Sequence, residues 1–158
     1  MVDGGRPDVV DGVGLRETRK ALAAADAEQV LLDSGAHVWV APGDLGPEPP
    51  VEPWAALLPS LDPSAMGWAD RGFHLPDDHR AALFDRAGNI GPTVWWNGRI
   101  MGGWGQRADG GVVWRLLTDT GQDASGLIES EASRLLAWVG DSRITPRFRT
   151  PLERELMA

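Results

Sequence analysis

The sequence has no cysteine among its 158 residues, which excludes a disulfide framework, a thiolate zinc site and a cysteine nucleophile. It also has no apolar run approaching 18 residues, so the sequence predicts no membrane-spanning helix and no membrane partner. Residues 1–5 hold neither a basic nor an apolar stretch, so no secretory signal is recognisable. We therefore expect a cytoplasmic protein, long enough to bury a sizeable core.

Lysine and tyrosine are scarce as well: Lys20 is the single lysine beside 14 arginines, and eight tryptophans accompany no tyrosine. The net charge is −8, and it is unevenly spread. Residues 1–79 carry 14 acidic and 5 basic side chains (−9), whereas residues 80–158 carry 9 and 10 (+1). An acidic chain repels nucleic acid at long range, so any DNA contact must come from a local cluster of cations.

A helix is predicted over residues 15–25, which are rich in good helix formers. Leu15, Thr18, Leu22 and Ala25 fall on one face at helical spacing. Just before this segment, residues 7–11 are typical of the end of another short helix.

A hairpin is predicted after this helix. The apolar residues 30–32 lead to turn residues 33–35, and residues 36–40 then alternate as a strand does. Helix, turn, helix and hairpin is the order of a winged helix-turn-helix, although the chain begins too late to hold the first helix of that fold. We therefore predict a partial winged helix over residues 1–41.

A connector follows, because residues 42–53 contain five prolines in twelve positions. Such a segment is extended and semi-rigid. It separates the partial winged helix from a second predicted domain over residues 54–158.

The second domain contains a predicted antiparallel meander. Asn97-Gly98 is the preferred two-residue hairpin turn, and Asp109-Gly110 marks the next reversal. The strands are apolar on both faces, so the sheet is either covered on both sides or closed into a barrel. With glycines inside the strands, we predict an α+β protein whose second domain is a small β-barrel with flanking helices. The other predicted elements are a strand at 54–58, helices at 78–84, 123–139 and 151–156, and a last strand at 142–148.

Two basic clusters are candidates for DNA binding. Arg16, Arg19 and Lys20 stand at i, i+3 and i+4 and share one helix face, which is either simply solvated or a recognition face. Ser34, at the hairpin tip, is small enough to approach a DNA backbone. The second cluster is an auxiliary patch, which could equally pair with the acidic first half of the chain; it consists of Arg143, Arg147, Arg149 and Arg154.

Four tryptophans on adjacent predicted strands have two interpretations. Trp95, Trp96, Trp104 and Trp114 could stack on bases or sugars, or they could form the core of the second domain. The first interpretation makes the protein a tryptophan-rich binding module for a sugar or a protein, without a DNA role. We expect no cofactor and no metal site, because the spacing of five between His74 and His79 does not suit ligands on one helix.

Three segments carry a family resemblance: residues 57–68, with Leu-Pro-Ser-Leu-Asp-Pro; residues 83–104, with Gly-Asn-Ile-Gly-Pro-Thr-Val-Trp-Trp-Asn-Gly-Arg; and residues 145–153, with Thr-Pro-Arg-Phe-Arg-Thr-Pro-Leu-Glu. Together with the helix and hairpin, they resemble the C-terminal part of bacterial winged-helix DNA-binding domain proteins, relatives of the AlkZ-type DNA glycosylases. The resemblance implies a longer parent with tandem winged helices before a C-terminal barrel.

The resemblance also implies a catalytic Gln-x-Gln or Gln-x-Asp pair, located in the N-terminal region of such a parent. Gln29, Gln106 and Gln122 have neither Gln nor Asp two residues on, so no catalytic residue is assigned. We expect weak binding to double-stranded DNA and no glycosylase activity from this chain alone. The N-terminal winged-helix region of the parent is a further expected partner.

Overall fold

The computed structural model describes residues 9–10, 13–33, 35–46, 49–67 and 71–158. Within these ranges the protein combines α-helices with antiparallel sheets. The chain divides into two compact units, unit 1 over residues 1–51 and unit 2 over residues 52–158.

The described residues of unit 1 form two small sheets and one helix. Strand β1 (Val9–Val10) pairs with β2 (Val13–Gly14), and β2 leads directly into helix α1 (Leu15–Ala24). Strands β3 (Glu28–Leu31) and β4 (His37–Val40) then form the predicted hairpin. The predicted end of a helix at 7–11 is wrong where the structure describes it, because two adjacent β-branched valines favour the extended backbone.

Helix α1 packs one face only partly. Leu15, Thr18 and Leu22 are partly buried, as their spacing predicts, and no residue of α1 is fully buried. Ala25 is exposed, contrary to the predicted stripe. The helix ends one residue before the predicted end at residue 25, because Asp26 takes a positive φ of 50° and the chain turns there.

Unit 2 is built on a four-stranded sheet with the order β5-β6-β7-β8. Asn97 and Gly98 both have positive φ, 47° and 79°, as a type I′ turn requires, so the predicted hairpin is confirmed. The strands are β5 (Ala55–Leu58), β6 (Thr93–Trp96), β7 (Arg99–Gln106) and β8 (Val112–Leu116).

The other elements in the described part of unit 2 are helical. Asp62 caps α2 (Pro63–Met66), since its carboxylate accepts a hydrogen bond of 2.9 Å from the Ser64 amide. A 3₁₀ turn (Asp77–His79) runs into α3 (Arg80–Leu83). The long helix is α4 (Gly121–Val139), and the last is α5 (Pro151–Leu156).

The barrel prediction is corrected, because the sheet is open: β5 and β8 are its two edges in the described part of the chain. Helices bury both of its faces, which explains the apolar residues on each side. Against α4, Val94 and Trp104 pack with Ala124 and Ile128. On the opposite face, Trp95 belongs to the second core cluster, whose other strand and helix residues include Ile100, Leu83 and Leu152.

Glycines inside β7 allow a close approach of backbones rather than a barrel corner. A Cβ on Gly102 would collide with the backbone carbonyl of Arg115 on the neighbouring strand. The pairing of β6 with β7 also shifts register between Val94 and Trp95. Glycines within β7 tolerate such a bulge in the ladder.

Residues 142–148 do not form the predicted last strand, which is a second correction. Pro146 cannot donate to a ladder, and side chains hold this segment instead. The buried Gln106 amide donates to the carbonyls of Gly110 and Ser142, both at 3.1 Å, and accepts from the Ile144 amide at 2.8 Å.

Candidate nucleic-acid interface

Helix α1 presents three cations to solvent. Arg16, Arg19 and Lys20 are all exposed, at the spacing that puts them on one face of the helix. None of them forms an ion pair with an acidic residue in the described part of the chain. Their charges are therefore open to an external anion.

The hairpin after α1 has a tight tip. Gly35 takes a φ of 82°, and its amide donates to the Leu32 carbonyl at 2.8 Å. Ser34, the predicted contact at this tip, lies outside the described residues.

The second basic cluster separates into two groups. Arg143 is bound to its own fold: its guanidinium donates to the carbonyls of Ala108, Asp109, Asp141 and Ser142 at 2.9–3.4 Å. The bonds to Ala108 and Asp109 hold that turn against residues 141–143. The donors of the Arg143 guanidinium are therefore committed within unit 2.

The other arginines of that cluster line an open cleft of about 900 Å³ in unit 2. One wall comes from residues 84–89, between α3 and β6, and the other from residues 147–154. The cleft gathers Arg147, Arg149 and Arg154 from the predicted cluster and adds Arg86, which the sequence analysis did not select. We call this site the arginine cleft.

Asp85 shapes one wall of the arginine cleft. Its carboxylate accepts hydrogen bonds from the amides of Ala87 and Asn89, both at 2.9 Å, and from the Asn89 side chain at 3.1 Å. These bonds, the Asn89 ones first, lower the pKa of Asp85. The acid of the cleft thus remains ionised and bound to its own loop.

Arg149 is anchored from below by Glu153. The Glu153 side chain is only 5% exposed, and one of its oxygens lies 3.6 Å from Arg149 Nε. Burial raises the pKa of the Glu153 carboxyl, and the Arg149 charge opposes this only in part. The two groups form a close ion pair at the cleft wall, and no hydrogen bond joins Arg149 Nε to the carboxylate.

Phe148 is the residue that the sequence analysis missed. It lines the cleft, is 67% exposed, and has the Arg147 guanidinium 5.4 Å from its ring centroid. The signal was present, because Arg147-Phe148-Arg149 interleaves an aromatic ring with two cations. The predicted strand at 142–148 obscured this signal, because it assigned Phe148 only the role of its last residue.

The four tryptophans of the sheet serve its core. Trp95 and Trp104 are buried, and their indole N–H groups donate to Thr93 Oγ1 and to the Leu58 carbonyl, both at 2.9 Å. Trp96 and Trp114 are partly buried, and Trp114 donates to Glu129 at 3.0 Å. Trp95 and Trp96 are neighbours on one strand and therefore pack on opposite faces of the sheet.

The two histidines near the predicted helix start are both buried. His79 Nδ1 donates to the Ile100 carbonyl at 3.1 Å, and Nε2 lies 2.7 Å from Thr118 Oγ1. His74 stacks on Trp95 at 5.4 Å, and burial, followed by the Arg71 charge, lowers its pKa. Among the described residues, no three potential metal ligands converge.

None of the helices in the described ranges has both the length and the apolar character that crossing a membrane requires.

Residues 5–138 match the sequence pattern of a protein family described as DNA glycosylase AlkZ-like. The chain belongs to the AlkZ-like DNA glycosylase family. The match covers both units and most of their length. No curated protein matches the chain at a significant level.

A solved structure similar to this AlkZ-like chain is that of the Streptomyces sahachiroi DNA glycosylase AlkZ, at a TM-score of 0.65 and 24% identity. The alignment covers 87% of this chain and 38% of that protein. At this identity the likeness shows a shared fold, and the AlkZ-like chain spans less than half the length of the Streptomyces protein.

Proposed function

We propose that this AlkZ-like chain is a DNA-binding portion of a repair glycosylase and that it contacts duplex DNA through α1. In this proposal residues 1–41 are a partial winged helix, with α1 as recognition helix and the β3–β4 hairpin as wing. Residues 42–53 are the connector, and residues 54–158 form the second domain. The observation that carries the proposal is the exposed face of Arg16, Arg19 and Lys20, which lacks acidic partners in the described structure.

The binding is weak and depends on salt. Three neutralised phosphates give a slope of log K against log salt of about −2.7, at about −0.9 per contact. The net charge of −8 opposes the encounter. We therefore expect an affinity in the non-specific range of roughly 10⁻⁴–10⁻⁶ M at physiological salt.

The proposal assigns no excision chemistry to this chain. Gln106 is committed to the backbone of residues 110, 142 and 144, whereas Gln29 lies on β3 and Gln122 on α4. No pair of glutamines, or of glutamine and aspartate, is available at the spacing that the family resemblance implies.

The proposal is tested with the variant Arg16→Ala/Arg19→Ala/Lys20→Ala. Binding to a fluorescent duplex is measured by anisotropy between 50 and 200 mM salt, and we expect the slope to flatten by more than about two units. The matched control removes three exposed charges from unit 2, as Arg99→Ala/Arg107→Ala/Arg134→Ala. If the α1 variant binds as the parent does at every salt concentration, the face is merely solvated and the proposal fails.

A further inference from the structure

We propose that the arginine cleft of unit 2 binds single-stranded DNA, with its phosphates on the arginines and one unpaired base stacked on Phe148. This rests on the proposed function only in taking DNA as the ligand, because the cleft and α1 belong to different units.

The first argument is charge. Arg86, Arg147 and Arg154 line the cleft without an ion pair to any acidic residue that the structure describes. The cleft's own acid, Asp85, is bound to three N–H donors of its loop. Unpaired guanidinium groups on one cleft repel each other, and their planar forks match phosphate oxygens. The site therefore favours a ligand with more than one negative group.

The second argument is the exposed ring. Phe148 is 67% exposed at the cleft, although the other phenylalanine of the cleft, Phe84, is buried beneath Arg71 and Arg80. Any nucleobase has a π-face that can cover such a ring, whatever its sequence. Arginines beside an open aromatic ring are the combination that single-strand binding proteins use.

The third argument is size and base geometry, which select a single strand over a duplex. The cleft volume of about 900 Å³ is in the size range of small-ligand sites, so the cleft can hold a few phosphate, sugar and base groups. In a duplex the bases stack on one another and offer only their edges in the grooves. Within a continuous duplex these faces are covered by the neighbouring bases, whereas an unstacked base of a single strand can present its face to Phe148.

Glu153 contributes by positioning. Its buried carboxylate lies 3.6 Å from Arg149 Nε, and this ion pair favours the position of that arginine at the cleft wall. An ordered guanidinium loses less freedom on binding than a mobile one does.

The test measures the binding of a fluorescent thymidine octamer to the full chain at fixed salt. We expect Phe148→Ala to weaken binding by about five-fold or more, the loss typical of one stacked base. The matched control Trp138→Ala removes a ring that is 84% exposed on α4, outside the cleft, and should change binding by less than about two-fold.

The charges are tested with the same octamer, with binding now measured over a range of salt concentrations. Arg147→Ala/Arg154→Ala should weaken binding and reduce the salt slope by about 1.4, at about 0.7 per single-strand contact. Arg99→Ala/Arg134→Ala removes the same charge elsewhere in unit 2 and should leave the slope within about half a unit. Because Phe148 is exposed, its truncation does not threaten the fold; Phe148→Leu, which keeps an apolar side chain, should lose most of the stacking as well.

Two outcomes would refute the proposal that the arginine cleft binds single-stranded DNA. One is equal binding by Phe148→Ala, Trp138→Ala and the parent; the other is a Phe148 effect as large on duplex as on the octamer. Placing Phe148→Ala in the α1 triple variant separates the two proposals. If the α1 triple variant binds duplex as the parent does, but Phe148→Ala still weakens octamer binding, the proposed function is refuted and the cleft proposal is supported.

Discussion

At the scale of single residues, two buried titratable groups of unit 2 respond to pH in opposite directions. His74 is 2% exposed, and its pKa is lowered from 6.5, so the folded protein takes up its proton less readily than the unfolded chain. Stability from His74 is therefore lost as the pH falls below 6.5. The pKa of Glu153 is raised, so its contribution is present in acid and lost as the pH rises through the folded value.

The variant His74→Phe isolates the histidine contribution. A phenyl ring keeps the stack on Trp95, and it has no proton to gain. We expect the parent to lose free energy of unfolding between pH 7.5 and 5.5, by at most about 1.4 kcal/mol per pH unit for this group. His74→Phe should lose less over the same range in urea titrations. Equal losses in the two proteins would show that His74 does not control this dependence.

At the scale of elements, local chemistry predicts some features and misses others. Asn97-Gly98 specifies its own turn, since both residues accept positive φ. The conformation of residues 142–148 depends instead on Gln106, which lies 36 residues before Ser142 and bonds to its carbonyl. A contact of that separation is invisible in the local pattern, so the segment resembled a strand.

Gln106→Ala tests this account of the C-terminal segment. It removes three hydrogen bonds and leaves the carbonyls of Gly110 and Ser142 without that partner. We expect a loss of about 1–3 kcal/mol in the free energy of unfolding. Gln122→Ala, at an exposed position of α4, is the matched control and should stay within about 0.5 kcal/mol. A change no larger for Gln106→Ala than for this control would contradict the bracing role.

The arginine cleft was predicted only in part. Arg147 and Arg149 are close in sequence, and their clustering was visible. Arg86 lies about sixty residues earlier and joins them only through the packing of α3 and α5 beside the sheet. Arg143 belongs to the same run in sequence, but its hydrogen bonds direct it to residues 108–109 instead.

At the scale of the whole molecule, the sequence pattern correctly indicated an α+β protein but not the openness of its sheet. Strands with two apolar faces are compatible with closure and with helices on both sides. The choice depends on where α4 and α5 dock, and docking is a property of the assembled core. The family resemblance indicated a relation to the AlkZ-type DNA glycosylases, which periodicity cannot reveal. The family match over residues 5–138 confirms that relation.

The whole chain should release no base from alkylated duplex DNA. Gln29, Gln106 and Gln122 lack the paired spacing, and Gln106 is held by the backbone. A release assay with purified chain should therefore match the protein-free background over hours. Release above that background would place catalysis in this chain and contradict the prediction.

The central claim, that α1 is the surface that meets duplex DNA, is tested most directly by mapping backbone amide shifts. The ¹⁵N-labelled chain is titrated with a short duplex at low salt. The account predicts shifts concentrated in Leu15–Ala24 and in the β3–β4 hairpin, and their disappearance in Arg16→Ala/Arg19→Ala/Lys20→Ala. Shifts confined to unit 2, or unchanged in the triple variant, would contradict it.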